Sequence, residues 1–143
     1  MSIATPAEVP VSLDRNRLAR RGLSATAAAV AAVAIVRFVA AVLAPDLATL
    51  DPFGWGAIVA ATVVAALAGT AVYAFVGRRR NGERLFVGLA ALVFLLSLLP
   101  VWFGASAIPG MTTLGLVLLA VMHLVAAVGI VVPLLGRAPG LPA

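Results

Sequence analysis

A chain of 143 residues that is 64% hydrophobic and 10% charged is far more apolar than a soluble domain, where about 25% of residues are charged, and this excludes a water-soluble fold. The absence of cysteine excludes a disulfide framework, a thiolate metal site and thiol chemistry. The net charge is +5, with arginine as the only basic residue besides one histidine; the arginines flank apolar spans with no interleaved aromatic platforms, which argues against a nucleic-acid partner. Arginine without lysine, together with abundant Ala, Val, Gly and Leu, resembles the coding bias expected of a GC-rich prokaryotic genome.

Residues 1–21 read as a disordered tail that ends in a basic collar, Arg15, Arg17, Arg20 and Arg21. Leu23 to Leu43 is apolar apart from Ser24, Thr26 and Arg37, and about 20 helical residues cross a hydrocarbon core of about 30 Å. A cleaved secretory signal, or a twin-arginine signal at Arg20-Arg21, is the rival reading of this segment. Against it stand Arg37 within the stretch, the length of the stretch and Pro45 just beyond the cleavage position. Pro45 ends the helix, because proline disfavours helix in the residue before it and cannot continue the ladder.

The next loop carries Asp46 and Asp51 and no basic residue, which places it outside. The second span is expected over residues 55–76, with Phe53 and Trp55 as an aromatic belt at one end and Tyr73 and Phe75 at the other. Ala57, Ala61, Ala65, Gly69 and Gly77 recur every four or eight residues, and Ser24, Ala28, Ala32, Ala40 and Ala44 repeat the device in the first span. Such rows of small residues let helix backbones approach closely in lipid, so each is expected to be a packing seam.

Gly77 to Arg84 contains Arg78, Arg79, Arg80 and Arg84 and breaks the apolar sequence at its middle. Basic residues are retained on the cytoplasmic side, so collar and hinge together set the topology. The third span is expected over 85–103, kinked at Pro100 by the missing N–H. Pro109-Gly110 punctuates an uncharged loop, the fourth span covers 114–135 with His123 near its middle, and Arg137 opens a short tail, 137–143. The short connections predict an all-α, up-down-up-down transmembrane four-helix bundle over residues 22–136. Both termini are expected in the cytoplasm and the chain in the cell (plasma) membrane as a multi-pass protein.

Arg37, Thr62, Ser97 and His123 are the candidate ligand-binding residues. Arginine at a helix centre costs about 2.5 to 3.5 kcal/mol on insertion scales, so Arg37 either snorkels towards lipid phosphates or Asp46 and Asp51, or faces the bundle as a cation for an anionic group. Depth along the helices puts Thr62 and Ser97 within about one turn of Arg37, with His123 deeper, so the four are expected to share one outward-facing polar cavity. His123 alone suits a structural hydrogen bond, proton or ligand handling, or haem ligation between chains. No paired carboxylate, Ser-His-Asp set, phosphate-binding glycine loop or metal-ligand spacing is present. No cofactor, metal or enzymatic activity is therefore expected. The lack of any acidic residue within the spans also weighs against a glutamate-dependent small exporter and against an acidic-ring cation channel.

Leu96-Ser97-Leu98-Leu99-Pro100, Met122-His123-Leu124-Val125-Ala126-Ala127 and the basic break after the second helix resemble a prokaryotic four-helix membrane family known only as a domain of unknown function. The resemblance covers roughly residues 20–135 and implies a four-helix membrane fold without supplying an activity. In outline the chain is also similar to four-helix proteins of the DoxX type. The leading expectation is a non-enzymatic subunit, stabiliser or small lipid- or ligand-binding bundle whose partners are the bilayer and, through the small-residue seams, a second copy or another membrane protein. A small transporter with a cavity at Arg37 and His123, and a membrane redox or haem subunit, are the alternatives.

Overall fold

The computed structural model describes residues 15–136. They form four long helices, α1 (Arg15–Leu43), α2 (Trp55–Val76), α3 (Gly82–Leu99) and α4 (Thr113–Leu134). At 1.5 Å per residue, the 22 residues of α2 or of α4 extend about 33 Å, matching a hydrocarbon core of about 30 Å. All four helices are long and apolar enough to cross a membrane, and such surfaces belong in a lipid bilayer.

Two helix ends differ from the expected spans by several residues. α1 starts at Arg15, so the basic collar is the first two turns of a helix and not part of a disordered tail. Arginine is a good helix former, and these turns carry α1 beyond the apolar span. The rest of the expected N-terminal tail, residues 1–14, and the expected C-terminal tail, 137–143, lie outside the described residues. The third span is longer than expected: after α3 the chain continues as a π-helical turn, Pro100–Gly104, and a 3₁₀ turn, Ala105–Ala107. The kink expected at Pro100 takes this form, because a residue without an N–H cannot continue the α ladder.

Local signals end and start the other elements. Pro45 opens a 3₁₀ turn after α1, Thr112 caps α4 by accepting from Gly115 N–H at 3.2 Å, and Gly110 adopts a positive φ of 85° in the Pro109-Gly110 turn. In the hinge, a Cβ on Gly82 would stand 2.8 Å from Gly77 Cα, so this tight reversal requires glycine at position 82.

Contacts fix the directions of the helices. The start of α1 meets the ends of α2 and α4 through Arg21, Tyr73 and Leu134, and Tyr73 near the end of α2 meets Phe86 near the start of α3. In these contacts α1 runs opposite to α2 and α4, and α2 opposite to α3. α1 packs most extensively on α4, next on α2, whereas α3 leans more lightly on α2 and α4. Two apolar clusters hold the ends. Tyr73, Phe86, Ala25, Ala29, Ile130 and Leu134 pack at the basic end, and Phe53, Leu47, Val33, Ile58 and Met122 pack among others at the opposite end.

Both expected seams are displaced by one residue. On α1 the buried stripe is Gly22, Ala25, Ala29, Val33, Arg37 and Ala40; of the expected row only Ala40 is buried and Ala28 is exposed. On α2 the buried positions are Ile58, Thr62, Ala66 and Tyr73, whereas Ala57, Ala61 and Ala65 are exposed. α1 and α4 approach closely through their backbones, since a Cβ on Gly129 would lie 2.8 Å from Ala29 Cα. The aromatic belts also differ from expectation. Phe53 is fully buried and Tyr73 is 3% exposed, packed edge-on against Phe86 at 5.1 Å, while Trp55 and Phe75 keep outward exposures of 52% and 85%.

Candidate functional site

The row of small residues on α2 that fails to meet another helix faces a void. Ala57, Ala61, Ala65, Ala68 and Gly69 form one wall of a partly open cavity of about 760 Å³ between α2, α3 and α4. Its size falls within the ~300–1,000 Å³ of small-molecule sites. Alanine and glycine side chains are too short to bridge to the lightly packed α3, whose Leu89, Val93, Phe94 and Ser97 form the facing wall. α4 supplies the floor with Met122, His123, Ala126 and Ile130. The cavity is elongated. Its lining runs from Ala57 to Val72 along α2, about 22 Å at helical rise. Pro100, Val101 and Gly104 of the π-helical turn line it as well, next to Ser97.

Of the candidate residues, Thr62, Ser97 and His123 all line this cavity, and Arg37 does not. The expected shared site of four polar residues is therefore corrected to three. Each of the three is bonded to its own helix. Thr62 Oγ1 donates to Ile58 O at 2.7 Å, Ser97 Oγ to Phe94 O at 2.6 Å, and His123 Nδ1 lies 2.7 Å from Leu119 O. Such back-bonding is how hydroxyls are accommodated inside apolar helices. A carbonyl only accepts, so His123 Nδ1 carries a proton, and in the neutral ring Nε2 is then an acceptor. Leu119 O is the one protein hydrogen-bond partner of the His123 ring among the described residues.

Arg37 belongs to a different construction. It is 8% exposed, its Nε donates to Phe53 O at 2.6 Å, Nη2 donates to Ala48 O at 3.3 Å, and the guanidinium carbon lies 5.3 Å from the centre of the Trp55 ring. The connection from α1 to α2 consists of two 3₁₀ turns, Pro45–Thr49 and Asp51–Phe53, and Ala48 O and Phe53 O of these turns accept from Arg37. Arg37 thereby supplies donors to main-chain oxygens of an irregular connection, which buried backbone requires. It neither points out to lipid phosphates nor stands as a cation in the cavity. Its partners are main-chain oxygens, which leave no mark in a sequence.

Arg21 does the same at the basic end, a role that its place in the collar did not reveal. Its Nη1 donates to Tyr73 Oη at 3.3 Å and to Leu134 O at 3.2 Å, so a cation sits on the last carbonyls of α4, where the helix dipole favours it. Arg15, Arg17, Arg20, Arg78, Arg79, Arg80 and Arg84 are exposed and gather at this same end. Among the described residues no group of His, Asp and Glu could hold a metal ion.

No curated protein matches the chain, and no solved structure matches it. The expected resemblance to a four-helix family of unknown function meets a direct counterpart, since a family model matches residues 13–140. With four membrane-capable helices around an apolar cavity and a match that spans nearly the whole sequence, the chain belongs to DUF6069, a family of unknown function.

Proposed function

We propose that this protein is a non-enzymatic, multi-pass protein of the cell membrane that holds a chain-like apolar ligand, such as a lipid tail or a single-chain amphiphile, between α2, α3 and α4. The observation that carries the reading is the cavity of about 760 Å³, elongated along the helices, apolar on nearly all sides and lined by one imidazole. Small residues at Ala57, Ala61 and Ala65 keep it wide. Ala61→Phe fills it from an exposed wall position, so the variant should fold and retain lipid about tenfold less well. Native mass spectrometry of the two detergent-purified proteins after lipid exchange reads the difference; equal retention overturns the reading.

The cytoplasmic placement of both termini is part of the same proposal and is supported by the distribution of charge. The exposed arginines gather at one end of the bundle and Asp46 and Asp51 lie in the connection at the other. In this cysteine-free chain, Thr49→Cys should react with a membrane-impermeant maleimide in intact cells, and Asn81→Cys only after lysis. The opposite pattern would invert the topology.

A small permease is the second reading, favoured by the light packing of α3 and the π-helical turn that borders the cavity. Flux of the bound amphiphile between the leaflets of proteoliposomes separates it from a static binding bundle.

A further inference from the structure

The polar atoms of the cavity are of one kind. Thr62 and Ser97 have already spent their hydroxyl protons on Ile58 O and Phe94 O. What remains on each oxygen is acceptor capacity. In its neutral form the His123 ring, with its Nδ1 proton directed to Leu119 O, presents Nε2 as a third acceptor. No arginine faces the cavity, because Arg37 is committed to Phe53 O and Ala48 O and Arg21 to Tyr73 and Leu134 O. An acceptor-only lining in apolar surroundings discriminates by what it leaves unpaired. A ligand group that donates finds a partner, whereas a carbonyl, ether or carboxylate oxygen must be desolvated with none.

From this we infer that the cavity selects single-chain amphiphiles whose head group is a neutral hydrogen-bond donor, a long-chain alcohol, prenol or phenol, with the head at His123 Nε2 and the chain along the alanine wall of α2. The inference rests on the reading of the cavity as a ligand site and adds the class of ligand. It runs against the anion site that the arginine content suggests, since Arg37 and Arg21, whose hydrogen bonds join elements of the bundle, are held by main-chain carbonyls.

The test offers the full-length protein in detergent an equimolar mixture of hexadecanol, methyl hexadecanoate and hexadecanoate, with retention read by native mass spectrometry. Hexadecanol should be retained roughly three- to tenfold better than the ester, the margin of one net hydrogen bond. His123→Phe keeps the ring volume and removes the acceptor, so the preference should fall to about one while total chain retention persists. Ser97→Ala and Thr62→Val make the same comparison without altering the ring and should reduce the preference by a smaller factor. If alcohol and ester are retained equally and both are lost in Ala61→Phe, the head-group assignment fails while the cavity reading stands. Preference for hexadecanoate overturns the assignment in favour of a cationic His123. If no chain is retained, the cavity reading itself fails and takes the assignment with it.

Discussion

Gly129→Ala lowers the stability of the folded bundle by about 2 kcal/mol, although alanine is the better helix former. The added Cβ would lie 2.8 Å from Ala29 Cα and 3.0 Å from Ala29 N, so it meets backbone that no rotamer change can move. α1 and α4 must separate, and theirs is the most extensive contact in the bundle. Ala25 and Ala29, both fully buried, lose close packing with α4 when the gap opens. In lipid that packing is the main force between helices, because leaving a neighbour exposes no apolar surface to water. Overpacking typically costs roughly 1–3 kcal/mol, and the site is at the upper end because the clash is with main chain; the helix-propensity gain of about 1 kcal/mol offsets part of it. Gly88→Ala is the control. Nothing lies within 4 Å of a Cβ built there, so it gains the propensity term and is neutral or stabilising. Reversible unfolding of both variants in mixed micelles measures the difference. Equal stability would show that the backbone approach is not what holds α1 to α4.

The helices themselves were legible because the signals that define them are coarse. Apolar runs broken by Pro45, by the four arginines of the hinge and by Pro109-Gly110 mark the spans to within a few residues. Which side of each helix turns inward was not legible. A residue facing lipid and one facing the core are equally apolar, so hydrophobic periodicity, the usual guide to a buried face, carries little information in a membrane. Small residues stood in as the guide, and in a chain this rich in alanine they occur on every face. The row at Ala57, Ala61 and Ala65 therefore reads as a contact in the sequence, although it borders a gap. A gap is a property of three helices at once and has no local sequence pattern. Thr62, Ser97 and His123 came together because depth along a helix can be counted from its ends. The separation of Arg37 from them depends on the direction of its side chain, which counting does not supply.

Arg37→Leu tests the other end of the structure, and here insertion and folding move in opposite directions. Leucine inserts at least as well as arginine at this depth, so the amount of protein reaching the membrane should be unchanged or higher. The folded bundle should nonetheless be less stable by about 3 kcal/mol. A hydrogen bond involving a charged group contributes about 1.5–3 kcal/mol, and a buried carbonyl left without a donor costs about 1–3 kcal/mol. Phe53 O is such a carbonyl, since Phe53 is fully buried and its bond to Arg37 Nε is 2.6 Å long. Arg37→Lys keeps the charge but has a single ammonium in place of two separated N–H groups directed at Phe53 O and Ala48 O. It should recover about half of the loss. Trp55→Leu removes only the cation–π contact at 5.3 Å and should cost about 1 kcal/mol. The ordering Leu, then Lys, then the Trp55 variant is what distinguishes a clamp on the α1–α2 connection from a charge held for a ligand. A ligand-binding arginine would show its deficit only when ligand is present, whereas a clamp shows it in the empty, delipidated protein. If Arg37→Leu is as stable as the parent chain under those conditions, the connection is held by the burial of Phe53 and Leu47 alone.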